Sequence, residues 1–180
     1  MNEKKSQKRI SLAVIILSIL AGILLFALDR ITKIYVSNNF ELDFEHRKFI
    51  PGIIDLTYIH NSGGAWGIMS GQTWILIVVT AVVMAVCVAF FFKYGIYSKL
   101  LAWAVSLVLF GGVGNMYDRI FNGGKVVDFL HFTFMPSFPV FNVADCGVVI
   151  GAGLLILYFI ISSIKENKEK TACGEENGNN

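Results

Sequence analysis

Hydrophobic and polar positions fall into long separate blocks along this chain. Four stretches carry no charged residue and are rich in Leu, Ile, Val and Phe, namely Ile10–Leu28, Trp74–Phe92, Leu100–Met116 and Cys146–Ile164. Each is close to the roughly 20 residues that an α-helix needs to cross the hydrocarbon core of a bilayer. The pattern predicts four transmembrane helices, at about 10–28, 74–92, 100–116 and 141–164.

The composition agrees with a membrane protein. Of the 180 residues, 55% are hydrophobic and only 16% are charged, which excludes a disordered chain and argues against a water-soluble globule. The first apolar stretch is longer than the core of a cleavable signal peptide, so we expect it to be retained as a helix. Residues 165–180 are polar and lack an apolar period, and we expect a disordered cytoplasmic tail there.

The distribution of basic residues predicts the orientation in the membrane. With four crossings, both termini lie on one side, together with the short turn between the second and third helices. Lys and Arg are concentrated in these segments. Cytoplasmic loops carry an excess of Lys and Arg, so we expect both termini in the cytoplasm and the loops 29–73 and 117–140 outside.

The first outer loop has a strand-like pattern. Apolar and polar residues alternate over 40–45 and again over 54–58, on either side of Pro51-Gly52. This alternation around a turn predicts a short β-hairpin, and because an isolated hairpin is marginally stable, it should rest on the helix ends or the membrane surface. The predicted fold class is an all-α membrane protein with four transmembrane helices and a small extracytoplasmic β-hairpin or cradle.

Polar side chains gather at one depth of this predicted bundle. The alternating direction of the helices brings one set to the outer ends of three helices, namely Asp29, Asn115, Asp118, Arg119, Asn142 and Asp145, with Asp128 in the loop before the last helix. Ionisable groups against a bilayer core are costly and mark functional sites. We therefore expect a site near the outer membrane face.

The individual acids differ in what their neighbours imply. Asp29 and Lys33 are spaced to pair on one helix face, which favours a structural anchor, and an ion pair of Asp118 with Arg119 at the membrane edge is slightly favoured over a functional role. Asp145 has no basic residue within a turn, which favours function. The residues alone do not rank Asp128 above Asp118 as its partner.

Two carboxylates in a site with little water share one proton, because both cannot ionise cheaply. This arrangement activates water in aspartic proteases, and amides such as Asn115 and Asn142, with the Arg119 guanidinium, would orient the carboxylates and offset oxyanion charge. The cysteines show no metal-ligand spacing, and no basic patch with interleaved aromatics appears. We expect no metal, no cofactor and no nucleic-acid partner.

Two other classes of function compete with a hydrolase. A small proton-coupled transporter also uses intramembrane acids, but these should be spread through the bilayer, whereas here they lie at one face. A non-catalytic membrane assembly factor would use small residues for helix contacts, and Gly147 and Gly151 have the Gly-x-x-x-Gly spacing. Packing within the bundle explains that spacing equally well.

Five sequence blocks together resemble one known family, the bacterial lipoprotein signal peptidases, or signal peptidase II. These blocks are Asp29-Arg30-Ile31-Thr32-Lys33, Asn61-Ser62-Gly63-Gly64-Ala65-Trp66, Gly111-Gly112-Val113-Gly114-Asn115-Met116-Tyr117-Asp118-Arg119, Val126-Val127-Asp128-Phe129 and Phe138-Pro139-Val140-Phe141-Asn142-Val143-Ala144-Asp145. They occur in the family's order and cover most of the chain from Asp29 to about Gly151.

The resemblance implies a single integral-membrane peptidase domain over residues 1–164. It implies an aspartyl endopeptidase of the bacterial cytoplasmic membrane that cuts prolipoproteins before a diacylglyceryl-modified cysteine. By resemblance, Asp128 and Asp145 form the catalytic dyad, and the supporting or substrate-binding positions are Asn115, Arg119, Asn142, Asn61, Asp29 and Lys33. Membrane lipid and a globomycin-type inhibitor are the other partners that it implies, and we expect a monomer.

Overall fold

The computed structural model describes residues 9–43 and 46–178. Within these residues, four helices are long and apolar enough to cross a membrane. They are α1 (Leu12–Asn39), α2 (Thr73–Tyr94), α3 (Lys99–Phe121) and α4 (Val143–Gly178). The four helices predicted from hydropathy are confirmed, although their ends differ from the prediction.

Helices α1 and α4 extend beyond their predicted ends. Helix α1 continues from Leu28 to Asn39, because the charged residues that interrupt its hydropathy find buried partners inside the bundle. Helix α4 continues through Gly178, so the described residues from 165 onward are helical where the sequence pattern predicted a disordered tail. Glu and Lys are good helix formers, and they extend a helix that is already nucleated. Residues 179 and 180 lie outside the described residues.

Helix α3 is the centre of the bundle and contacts the other three helices. Glycines allow the closest approaches. A side chain at Gly151 of α4 would come within 2.8 Å of the Ala104 carbonyl oxygen of α3, and one at Gly147 would collide with Leu25 of α1. The Gly-x-x-x-Gly spacing of α4 therefore serves packing within the bundle.

A small antiparallel sheet accompanies the helices. Within the described residues it has three strands in the order β1-β2-β3, which are β1 (Arg47–Ile50), β2 (Ile54–Asn61) and β3 (Val126–Phe132). The first two form the predicted hairpin around Pro51-Gly52. The alternation over 40–45 does not mark its first strand, since Phe40 caps α1 and β1 begins at Arg47. Residues 44 and 45 lie outside the described residues.

Strand β3, which the sequence pattern did not predict, brings the two outer loops together. Its antiparallel register places Asp128 opposite Ile59 and Val126 opposite Asn61. The next segment returns along β3, with the Phe141 N–H donating to the Leu130 carbonyl at 3.0 Å. Asp128 is thereby held between the end of β2 and the start of α4.

The sheet packs against the C-terminal end of α1. Val36 of α1 and its C-cap residue Phe40 form a buried apolar cluster with Tyr58 of β2 and with Val127 and Phe129 of β3. Side chains alternate between the two faces of a strand, so Asp128, between these two β3 residues, faces away from the cluster. The apolar face of the sheet thus fixes the strand that carries the carboxylate.

Candidate active site

Asp128 is held by two side-chain amides from different elements. Asn142 at the start of α4 donates to its Oδ1 at 2.6 Å, and Asn61 at the end of β2 donates to its Oδ2 at 2.9 Å. The residue is only 2% exposed. Each carboxylate oxygen therefore has a donor that replaces the water lost on burial.

Asp145 lies in the first turn of α4 and is held in a similar way. Asn115 of α3 donates to its Oδ1 at 2.7 Å, and the Asn142 backbone N–H donates to its Oδ2 at 3.1 Å. In return, the Asn142 Oδ1 accepts from the Asp145 N–H at 3.0 Å. This reciprocal pair resembles a capping box, and the helix N-terminus favours a negative charge here.

Asn142 therefore touches both carboxylates, one through its side-chain amide and the other through its backbone. Its Nδ2 also lies 3.0 Å from the Asn115 Oδ1, so the two asparagines are linked. Arg119 completes this arrangement, donating from Nη2 to the Gly63 carbonyl at 2.9 Å. Four residues predicted around Asp128 and Asp145 from the sequence, or by resemblance, are thus brought together with these two acids, namely Asn61, Asn115, Arg119 and Asn142.

The two carboxylates open onto one cavity of about 570 Å³. Its polar lining comes from Asp128, Asp145, Arg119, Asn61 and Asn115. The rest is largely apolar and comes from the 62–72 loop, strand β3, the segment before α4 and the first turns of α4. The cavity joins a small polar end with a long apolar one.

Burial raises the pKa of the Asp128 carboxyl to about 7, and the negative charge of Asp145 adds to this effect. Hydrogen bonds from Asn61 and Asn142 act in the opposite direction, because they stabilise the ionised form. Asp128 is therefore protonated in a large part of the molecules at neutral pH. A shared proton between two carboxylates is the state predicted from the sequence.

Asp29 and Lys33 lie behind the site and do not line the cavity. The predicted pair is present, with Lys33 Nζ at 3.0 Å from an Asp29 oxygen. Both belong to a buried group that we call the ion-pair tetrad, which consists of Asp29, Arg30, Lys33 and Asp118. Lys33 and Arg30 each contact both acids, at distances from 2.5 to 3.0 Å.

The favoured ion pair of Asp118 with Arg119 is wrong. Asp118 points into the tetrad and pairs with Arg30 and Lys33, whereas Arg119 points into the cavity. Consecutive residues on a helix diverge by about 100°, so these two side chains reach different neighbours. The sequence analysis did not identify the role of Arg30. The only signal for it was that Asp118 has no basic residue other than Arg119 close to it in the sequence.

The tetrad is connected to the carboxylates through one amide. Lys33 Nζ donates to the Asn115 Oδ1 at 3.0 Å, and the Nδ2 of the same side chain donates to Asp145 at 2.7 Å. The lysine contact fixes which end of the Asn115 amide faces Asp145. Lys33 is in this way linked to Asp145 through the Asn115 side chain.

The fold and the site together define a class: a multi-pass membrane protein with two hydrogen-bonded carboxylates, one buried and one partly buried, that face a common cavity. Carboxylate pairs of this kind are the water-activating groups of aspartic proteases. Comparison with known proteins identifies the family within this class.

Residues 8–161 match the family described as signal peptidase (SPase) II. The lipoprotein signal peptidase of Clostridium acetobutylicum is 38% identical over 154 residues, which cover 84% of this chain and 97% of that protein. The lipoprotein signal peptidase of Bacillus pumilus is 39% identical over 148 residues, covering 82% of this chain and 94% of that protein.

A solved structure of a bacterial membrane enzyme, obtained by the in meso method at 2.3 Å resolution, has the same fold. Its TM-score is 0.78 at 29% sequence identity, and the match covers 87% of this chain and 93% of the solved one. The chain belongs to the signal peptidase II family. It is a multi-pass bacterial membrane protein with lipoprotein signal peptidase activity, in an aspartyl peptidase family that cleaves prolipoprotein signal peptides.

Proposed function

We propose that Asp128 and Asp145 are the catalytic dyad of this peptidase. The observation that carries the proposal is their common attachment to Asn142, which contacts both carboxylates at the polar end of one cavity. The alternative acids, Asp29 and Asp118, are each neutralised by two basic side chains in the ion-pair tetrad. An acid held in this way is a poor proton donor or acceptor.

In the proposed reaction, Asp128, whose pKa is raised to about 7, is the protonated member, and Asp145 takes the role of the ionised member. Asp145 takes a proton from a water molecule while the water oxygen attacks the scissile carbonyl carbon. Asp128 gives its proton to the carbonyl oxygen. As the C–N bond of the resulting diol breaks, the now protonated Asp145 gives its proton to the leaving amine nitrogen, and the now ionised Asp128 takes a proton from one diol hydroxyl.

Arg119 is placed to assist this step. Among the described side chains, its Nε is buried without a hydrogen-bond partner, although its other nitrogens donate to the Gly63 and Asn115 carbonyls. Arg119 also lines the cavity, which supports a contact between its guanidinium group and the substrate carbonyl oxygen. A positive charge at this place offsets the negative charge that develops on that oxygen.

The apolar end of the cavity supports a lipid-modified substrate. Val149 and Ile150 of α4 line the cavity and are 69% and 57% exposed, although they lie in a membrane-spanning helix. The cavity therefore has an edge on the lipid-facing surface. We propose that the diacylglyceryl chains of the substrate cysteine enter there, which puts the preceding peptide bond at the dyad.

A globomycin-type cyclic peptide would occupy the same cavity. We further propose that both termini are cytoplasmic, that the active site lies near the outer membrane face, and that the single domain over residues 1–164 acts as a monomer. The concentration of Lys and Arg in the terminal segments and in the α2–α3 turn supports this orientation.

The proposed function is tested with purified protein and two peptides of one prolipoprotein sequence, with and without diacylglyceryl on the cysteine. We expect cleavage before the cysteine of the lipidated peptide and a large loss of kcat/KM with the unmodified one. A metal chelator should leave the rate unchanged. Equal cleavage of both peptides would contradict the role of the apolar cavity, and no cleavage of either would contradict the whole proposal.

The pH dependence of turnover follows from the shared proton. Since the pKa of Asp128 is about 7, raising the pH through this value removes the proton that polarises the carbonyl, and kcat should fall on the alkaline side. Asn61 donates to the ionised form, so Asn61→Ala should raise the pKa of Asp128 and move the alkaline limb to higher pH.

A matched control for this experiment is Asn39→Ala. Asn39 is exposed, and its side chain donates to the Tyr35 carbonyl at the end of α1, away from the site. The pH profile of kcat should be the same in this variant and the wild type. A shift of the Asn61→Ala limb toward lower pH would contradict the assigned hydrogen bond.

A further inference from the structure

The loop over residues 62–72 presents apolar side chains that the catalytic proposal does not use. Trp66 lines the cavity and packs edge-on against Phe138, with the ring centroids 5.8 Å apart. Ile68 and Met69 are not among the described residues that line the cavity, and they are 61% and 44% exposed. Two neighbouring large apolar residues at a loop tip need a partner other than water.

We propose that the tip of the 62–72 loop is embedded in the lipid bilayer, with Ile68 and Met69 as its lipid-contacting residues. The loop ends where the membrane-spanning helix α2 begins, at Thr73. Trp74 in the first turn of that helix is also exposed, so exposed large apolar side chains occur both in the loop and at the start of the helix. Tryptophan is enriched at this level of membrane proteins.

The charge pattern fits a lipid partner better than a protein one. Residues 61–92 contain no Asp, Glu, Lys, Arg or His, so the loop is as free of charge as the helix that follows it. By contrast, the exposed strand β1 carries Arg47 and Lys48. In a loop tip that contacts water or a polar protein surface, charged residues would be expected.

The backbone of the loop is also suited to an apolar surrounding. In lipid, each backbone polar group needs a partner within the protein. The Gly64 N–H donates to the Ile68 carbonyl at 2.7 Å, and the Ser62 and Ser70 hydroxyls bond to each other at 2.6 Å. Other N–H groups of the loop that donate to acceptors in it or at its flank are those of Gly63, Gly67, Ile68, Ser70, Gly71 and Gln72.

Two residues of the 62–72 loop adopt an energetically unfavourable backbone conformation. Trp66 and Met69 have φ of 55° and 59°, in the left-handed region that non-glycine residues seldom adopt. Such residues persist where surrounding contacts determine the conformation, and they cluster at functional segments. Here the contacts are the internal hydrogen bonds and the bond from Arg119 to Gly63. These contacts determine the conformation of the loop within the protein. Lipid contact at the tip would in addition hold the loop in place beside the cavity.

The test measures lipid exposure directly and does not depend on turnover. In a full-length background with Cys87, Cys146 and Cys173 replaced by alanine, a nitroxide label is attached at Ile68→Cys or at Met69→Cys in separate variants. The proteins are reconstituted in bilayers, and the accessibility of each label to oxygen and to a water-soluble nickel chelate is measured. Oxygen partitions into lipid, whereas the chelate stays in water.

Two further label sites give the reference values. Val82→Cys, at an exposed position within α2, reports lipid, and Lys48→Cys, at an exposed position of β1, reports water. We expect the oxygen-to-chelate ratio at 68 and 69 to exceed that at 48 and to approach that at 82. A ratio like that at 48 would overturn the proposal, and low access to both reagents would overturn it in favour of a protein partner.

Because the labels report their surroundings and not catalysis, failure here leaves the dyad untouched. Conversely, an inactive enzyme with lipid-exposed labels would contradict the proposed function and support the loop assignment. Two adjacent label sites protect against a variant that distorts the loop, since only a concordant result counts as support.

Discussion

Turnover of a lipidated prolipoprotein peptide is expected to fall by about 10³-fold or more when either proposed dyad carboxylate becomes an amide, in Asp128→Asn or Asp145→Asn. An amide can neither take a proton from water nor give one to the carbonyl oxygen. The two variants should lose kcat to a similar degree, because the groups act as one unit. Peptide cleavage by each purified variant measures this effect.

The loss must be separated from a loss of folding. Asp128 accepts from two amides, so an asparagine there would place its own N–H2 against a donor from Asn61 or Asn142. Such a mismatch costs about 1–3 kcal/mol. Thermal unfolding of each variant in detergent is therefore recorded beside its activity, and a folded, inactive protein is the expected result.

Two other acids provide controls of different kinds. Asp55→Asn changes a carboxylate of β2 at the position opposite His131 in the β2–β3 register, outside the cavity lining, and should keep near-wild-type turnover. Asp118→Asn removes a member of the ion-pair tetrad and should act mainly on stability. If Asp118→Asn were inactive and Asp128→Asn active, the dyad assignment would be wrong.

Hydropathy predicted the number of helices because the bilayer imposes the same length on each of them. It failed at the end of α1, where Asp29 and Lys33 look like the limit of a membrane span. Their partners include Asp118, far away in the sequence, and a one-dimensional pattern does not contain that pairing. The tertiary ion pairs allow the helix to continue for several turns past its apolar part.

The β-strand around Asp128 was missed for a related reason. Residues 126–132 do not alternate regularly between apolar and polar, because most of the strand is buried on both faces. The apolar residues on either side of Asp128 are typical of an acid that turns toward polar partners. The identity of the partners of Asp128, which are Asn61 and Asn142, depends on the β2–β3 register and on the start of α4.

For the site, the residues alone indicated a group of acids at one depth and a functional Asp145. The choice of Asp128 over Asp118 came from the family resemblance. The structure supplies a physical basis for that choice, since Asp118 is bound to two cations and Asp128 is bound to neutral amides. A carboxylate beside cations stays ionised, whereas one beside amides and another acid can hold a proton.

The ion-pair tetrad leads to the largest expected change in stability. Lys33 is 2% exposed and contacts both acids of the tetrad, so Lys33→Met leaves two buried carboxylates with Arg30 as their remaining cation in the tetrad. Removing one member of a buried ionic group costs about 3–5 kcal/mol, because it leaves an uncompensated charge. We expect a clear drop in thermal stability in detergent, and the exposed Lys99→Met is the matched control.

The double variant Lys33→Met with Asp118→Asn tests the physical reason. It restores a neutral tetrad of Asp29 with Arg30, so it should be more stable than Lys33→Met alone, although it carries one more substitution. Its turnover should stay low, since Asn115 loses the lysine that orients its amide toward Asp145. If the two losses of stability simply added, charge balance would not be the cause. Recovery of full turnover together with stability would show that Lys33 does not position Asn115 for the dyad.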